Sequence, residues 1–306
     1  MSTQSRLETI AYSAPAPTVT YSPRITARRH IGTAWQCTFF GATGFAILLL
    51  GMLLWSIFEP GRSWLSWHLI TSMPSRIPAH AGMNSAIWGS IWIVFGSAIF
   101  SFVIGLGSAI YLEEYAERNR WTDFIQTNVS NLAGVPSIVY GLLGLVIFVD
   151  WLGLGRSILS GALTMGLLIL PIVVISSREA IRAVPLSLRQ ASYGLGATQW
   201  QTVRHHVLPA AMPGILTDVI LSMSRAIGET APLIVVGGAS QVLFRPDSPL
   251  SPFMVMPLQI FNWTSRPQKD YEHLAAAAII VLMIILLIMN SIAIILRHYF
   301  SKKNRW

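Results

Sequence analysis

Six uninterrupted apolar runs constrain this chain more than any other feature. They lie at about 35–58, 87–112, 129–149, 158–176, 210–236 and 275–296. Each reaches or approaches the ~20 residues that a helix needs to cross ~30 Å of hydrocarbon. Charge agrees: 11% of the 306 residues are charged, against roughly a quarter in soluble domains. The expected fold is therefore an all-α integral membrane protein with six transmembrane helices. The expected organisation is a disordered cytoplasmic tail at 1–34, a first helix and outer loop at 35–86, a helical transmembrane domain at 87–297 and a short cytoplasmic tail at 298–306.

A net charge of +8 invites a nucleic-acid reading, but the arginines cluster beside apolar runs and lysine occurs only at Lys269, Lys302 and Lys303. Placing both termini inside puts fourteen Arg and Lys in the inner flanks and six in the outer ones, with Arg225 left within a span. That asymmetry orients the chain with both ends in the cytoplasm. Residues 1–29 are rich in Pro, Ser and Thr and lack an apolar centre, so they read as a tail rather than a signal peptide. Cys37 stands alone, which excludes an internal disulfide. Two long outer loops, 59–86 and 237–273, carry Trp64, Trp67, Trp263 and Tyr271, and with Trp88 and Trp151 these fit interfacial anchors. Small residues and Pro136 and Pro171 inside the spans suit close packing, with bends at the prolines.

Between the fourth and fifth runs, residues 178–209 turn polar but keep helical periodicity. Ile181, Val184, Leu188, Ala191 and Leu195 recur at steps of three and four, which predicts one apolar face. Pro185 suits a helix start, and Gly194 and Gly196 offer the positive φ that turns one helix into the next. Two short helices on the inner face, the second carrying Trp200 and Val203, would form a docking element. The spacing resembles the EAA loop of ABC-importer permeases: Gln190, Ala191, Ser192, three residues, Gly196, nine residues, then His206, Val207, Leu208 and Pro209. Gln190 stands where the family has an acid and His206 where it has Ile. The resemblance implies the type I ABC-importer permease fold, with this loop as the coupling element that receives a separate ATPase. The chain has no Gly-rich loop ending in Gly-Lys-Ser/Thr to cradle nucleotide phosphates. ATP and Mg are therefore expected on the partner ATPase, with no cofactor or metal held by this chain.

Arg225 and Glu229 are four residues apart in the fifth run, so a continuous helix would place them on one face with Ser222 and Asp218. A charge inside a bilayer costs at least ~2.5 kcal/mol and normally faces a bundle interior or water, paired. The phrase RAIGETAP, with VPSIVYGL and the loop spacing, is similar to the A-type permease of the phosphate importer. The similarity runs from about residue 87 to the end. It implies a transport subunit of the bacterial inner membrane and not an enzyme. Its implied partners are a homologous C-type permease, an ATPase dimer, a periplasmic phosphate-binding protein and inorganic phosphate. Arg225 would meet the anion or hold the gate, with Glu229 as its partner between cycles; a static ion pair that fixes packing explains the same residues. Many such permeases carry an Arg after the fourth-span Pro, where this chain has Ile175, Ser176 and Ser177.

Two alternatives stay open. The substrate can be another oxyanion (sulfate, molybdate or phosphonate). An intramembrane enzyme acting on lipid phosphates would want His, Asp or Ser clustered at facing helix ends, and only Arg225 and Glu229 present themselves. Arg178 reads as an ordinary positive-inside residue, Glu113, Glu114 and Glu117 as a solvated inner face, and His205 and His206 as surface residues.

Overall fold

In the computed structural model, residues 25–117, 119–237 and 242–303 are described, leaving aside the side chains of 25–30 and 300–303. Every regular element among them is helical. The chain divides into two units at residues 55 and 56. The described part of the N-terminal one belongs to α1 (Ile25–Gly61), whose large side chains, such as Phe40 and Trp55, are exposed. The tail expected at 1–34 is therefore helical over 25–34, and 1–24 lies outside the described residues.

In the second unit, α2 (Trp67–Thr71) leads to α3 (Asn84–Ile110), which continues to Tyr115 in wider π-type turns. Next come α4 (Arg120–Leu132) and α5 (Ser137–Gly144), the latter extended by π-type turns to Trp151, then α6 (Ile158–Arg182). Two short helices follow, α7 (Leu186–Gly194) and α8 (Gln199–Thr202), with a π-type turn at Val203–Val207 leading into α9 (Leu208–Gly228). The chain ends with α10 (Ala231–Gly237), α11 (Met256–Thr264) and α12 (Lys269–Lys303). Helix therefore reaches Lys303 where a tail was expected from 298.

Five helices among the described residues are long and apolar enough to span a membrane, and a sixth span exists only as a bent pair. The expected third span at 129–149 is that pair: α4 and α5 meet at 102°. The cause is local. Pro136 has no N–H to donate and precedes α5 in an extended conformation, φ −54° and ψ 136°. The Leu132 carbonyl at the end of α4 then accepts from Val135 N–H at 3.1 Å and from the Tyr140 hydroxyl at 2.8 Å, which ties α5 back to the break. Pro171, by contrast, lies within a continuous α6.

The core forms where α3, α6 and α9 pack together with the loop between α10 and α12. Ser97 and Ser101 on α3 are fully buried and donate to carbonyls of their own helix, Val94 and Ala98. Small side chains that satisfy themselves in this way let helices approach closely. The 237–273 loop is no mere belt of anchors: Phe253, Met254, Leu258, Trp263 and Tyr271 are all buried. Its backbone caps α6, with Ile158 N–H donating to the Ser251 carbonyl and Leu159 N–H to that of Pro249. Tyr271 donates through its hydroxyl to the carbonyls of Ser75 and Arg76. Trp67 and Trp151 stay exposed, as interfacial residues would.

Candidate functional site

The polar segment after α6 folds into the anticipated pair of short helices. Gly196 adopts φ +82°, the left-handed conformation that glycine enters without steric cost, and turns α7 into α8. Gly194 is instead the last residue of α7. Thr198 caps α8: its hydroxyl accepts from Gln201 N–H at 3.3 Å, and the Gln201 side chain accepts from Thr198 N–H at 2.8 Å. The buried hydroxyls of Ser192 and Thr202, 2.8 Å apart, tie the two helices together.

Of the expected apolar face, Ile181 and Val184 are buried and Leu188 half-buried, while Ala191 and Leu195 point outward. Leu195 is 90% exposed, beside exposed Leu186, Tyr193 and Trp200. Gln190, Gly196 and Pro209 are exposed too, and Leu208 is half-buried. The α7–α8 hairpin thus presents apolar side chains outward while its polar pair, Ser192 and Thr202, is hidden. Such an inversion marks a surface built to be covered.

Two acids hold this hairpin to the membrane helices. Glu114, in the last turn of the second span, accepts from Nε and Nη2 of Arg189 on α7 at 3.1 and 2.8 Å. The same guanidinium donates to the carbonyls of Val184 and Ile181 at the end of α6, and Gln199 on α8 donates to the Glu114 carbonyl. The pair is nearly buried, with the Arg189 and Glu114 side chains 12% and 6% exposed. Glu113 takes two 2.9 Å bonds from Arg182 and a longer one, 3.4 Å, from Arg178. Glu113 and Glu114 are therefore ion-pair partners and not a solvated face, and Arg178 is a half-buried member of the cluster. Sequence reasoning missed this because it treated acids and arginines separately. Two adjacent acids at the end of a span, facing an arginine-rich inner loop, were the available signal.

The pair in the fifth span is built differently. α9 ends at Gly228, and Glu229 is already extended, with φ −77° and ψ 122°. Asp218, Ser222 and Arg225 keep helical spacing on α9, but Glu229 lies beyond its end and leaves the expected face. Arg225 Nε and Glu229 Oε1 still lie 3.9 Å apart, beyond hydrogen-bond range, with side chains 74% and 26% exposed. Both line a cavity of about 220 Å³ with Ser222, Tyr140 and the 132–137 break. Close packing continues beside it: a Cβ on Gly141 would stand 2.7 Å from the Pro232 Cα, so glycine lets α5 approach the backbone just after Glu229. Ser222 lines the cavity but donates to the Asp218 carbonyl, and Asp218 is not part of the lining. The volume falls below the ~300–1,000 Å³ of organic-ligand pockets and suits a small ion.

The sequence profile of the binding-protein-dependent transport system inner membrane components matches residues 101–306. The chain belongs to that family. Among its relatives, the probable ABC transporter permease protein YqgI of Bacillus subtilis (strain 168) is 37% identical over 218 residues, 71% of this chain and 73% of the relative. The phosphate transport system permease protein PstA 1 of Mycobacterium tuberculosis (strain ATCC 25618 / H37Rv) is 36% identical over 240 residues, 75% of this chain and 76% of the relative. PstA of Haemophilus influenzae (strain ATCC 51907 / DSM 11121 / KW20 / Rd) is 31% identical over 244 residues, 74% and 85%. A chain of the alginate ABC transporter in complex with an alginate pentasaccharide-bound periplasmic protein superposes with TM-score 0.63 at 15% identity, covering 87% of this chain and 94% of that one. A chain of the inward-facing MetNI methionine ABC transporter gives 0.58 at 16%, covering 71% and 95%. The fold is thus that of a type I ABC-importer permease, and the chain is a transport subunit of the inner membrane rather than an enzyme. The α7–α8 hairpin lies within the 178–209 segment, between α6 and α9.

Proposed function

We propose that this chain is one of two permease subunits of an ATP-driven phosphate importer. The observation that carries the reading is the α7–α8 hairpin, apolar outside and lashed by Arg189 and Glu114 to two different spans. A partner that grips the hairpin moves α3 and α6 with it. The partner is an ATPase dimer carrying ATP and Mg, docked on Leu186, Gln190, Ala191, Leu195, Gly196 and Trp200, with Leu208 and Pro209 joining the hairpin to α9. A homologous C-type permease completes the pore, and a periplasmic binding protein delivers the anion. Both termini lie in the cytoplasm, which places the hairpin and its arginines inside and the 242–268 loop outside.

Phosphate as substrate is supported by relatives named for phosphate transport at 31–36% identity and by the small cavity at Arg225. A phosphate dianion is repelled by a bare carboxylate, so Glu229 either stays neutralised by Arg225 or swings aside; the 3.9 Å, hydrogen-bond-free contact permits the second course. In reconstituted liposomes the assembly should take up phosphate with ATP hydrolysis and leave sulfate behind. Leu195→Asp combined with Trp200→Glu should release the ATPase in detergent co-purification. Crosslinks from the surroundings of Gly196 that reach no nucleotide-hydrolysing protein would overturn the reading.

A further inference from the structure

A second cavity, about 420 Å³, opens between α4 and α6 and contains a cation with too few partners. Arg178 keeps 13% of its side chain exposed; among the described residues its Nε is buried without an acceptor and its side chain makes one hydrogen bond, the 3.4 Å bond to Glu113. Arg182 already holds both oxygens of that carboxylate at 2.9 Å. A guanidinium offers several N–H donors, and buried donors are rarely left unmet. Across the cavity α4 brings the side-chain amides of Gln126 and Asn131. The site therefore combines Arg178, held by one long ion pair, with two side-chain amides able to donate, and with the Glu179 carboxylate in the same lining.

Its position matters equally. Ile169 and Ile172 line the Arg225 cavity, while Ile175, Arg178 and Arg182 line the second. These residues follow one another at three- and four-residue steps along one face of α6. Ile172 and Ile175 are only about 4.5 Å apart along the axis. Both cavities use the same helix as floor, and α4 with the break after it as the facing wall.

We propose that the second cavity is a low-affinity station for a free tetrahedral oxyanion, occupied after the Arg225 site on the way to the cytoplasm. The assignment of phosphate to this station rests on the proposed importer function. Arg178 supplies the charge, and Gln126 and Asn131 supply neutral donors. An incoming anion replaces the long Glu113 contact of Arg178 and leaves the Arg182 pair in place. Glu179, exposed and in the lining of the same cavity, opposes the anion and keeps the hold weak. Weak binding is what release requires, since a site on a conduction path must let its ion leave.

The test is equilibrium dialysis of radiolabelled inorganic phosphate against the assembled permease–ATPase complex in lipid-free detergent. The Arg225→Gln complex, which removes the first cavity's charge, should retain a weak class of bound phosphate. Adding Arg178→Gln should weaken that class on the order of tenfold, the loss expected for a charged hydrogen bond. Gln126→Ala with Asn131→Ala, which leaves every ion pair intact, should weaken it too, and Glu179→Gln should tighten it about threefold. The proposal is overturned if the Gln126/Asn131 and Arg178 variants bind as Arg225→Gln alone does, or if binding appears only once anionic lipid is added, since the cavity would then take a headgroup. Failure of the importer reading is read separately: parent liposomes would move no phosphate, whatever the dialysis gives.

Discussion

Two ion pairs on this chain stand at opposite extremes. Arg189 and Glu114 are nearly buried, 2.8 Å apart, and the arginine also satisfies two carbonyls at the end of α6. Arg225 and Glu229 sit at a cavity 3.9 Å apart without a hydrogen bond, at a point where the helix has just ended. Exposed pairs contribute ~0–1 kcal/mol, whereas removing one partner of a buried pair costs ~3–5 kcal/mol. The first contact is fixed on every side by its neighbours, and the second is long and open to solvent. A charge pair seen in sequence says nothing about which of these it is; the surrounding acceptors decide.

Arg189→Ala should make the largest difference. It strands Glu114 and should lower the stability of the detergent-solubilised permease by about 3–5 kcal/mol, read as a fall in thermal midpoint and lost ATPase co-purification. An unchanged midpoint would break the comparison. Gly196→Val comes next. A β-branched residue at φ +82° costs about 1–2 kcal/mol locally, and the expected readout is less phosphate moved per ATP hydrolysed in a complex that still assembles. Arg225→Gln and Glu229→Gln should alter stability least, by under about 1 kcal/mol, yet cut phosphate uptake severalfold at equal membrane levels. Retained uptake in both would make the pair a packing device, and a large stability loss would place it with the Arg189 contact.

Much of the architecture was legible in the residues. Apolar length locates spans because the bilayer sets that length, and periodicity and glycine placement located the pair of short helices that turn at Gly196. Length is blind to direction, however. The run at 129–149 hides a 102° break because hydropathy does not register that Pro136 lacks a donor or that Tyr140 bonds back to the Leu132 carbonyl. It equally misplaced Trp263 and Tyr271, whose aromatic rings suit an interface but are buried here by the loop around them. At the site, Arg225 and Glu229 were found by their cost in a membrane, and the structure keeps them adjacent despite the lost helical turn. Glu113, Glu114 and Arg178 were passed over because their meaning lies in partners 65 to 75 positions distant.

The π-type turn at Val203–Val207 carries a consequence for the whole assembly. A π-type turn takes up one residue more than an α-helical turn, so these five residues set the azimuth at which α9 leaves the hairpin. Each residue is worth about 100° of rotation. Deleting one there would swing Arg225 out of phase with the α4–α5 break from some twenty residues away, without touching either.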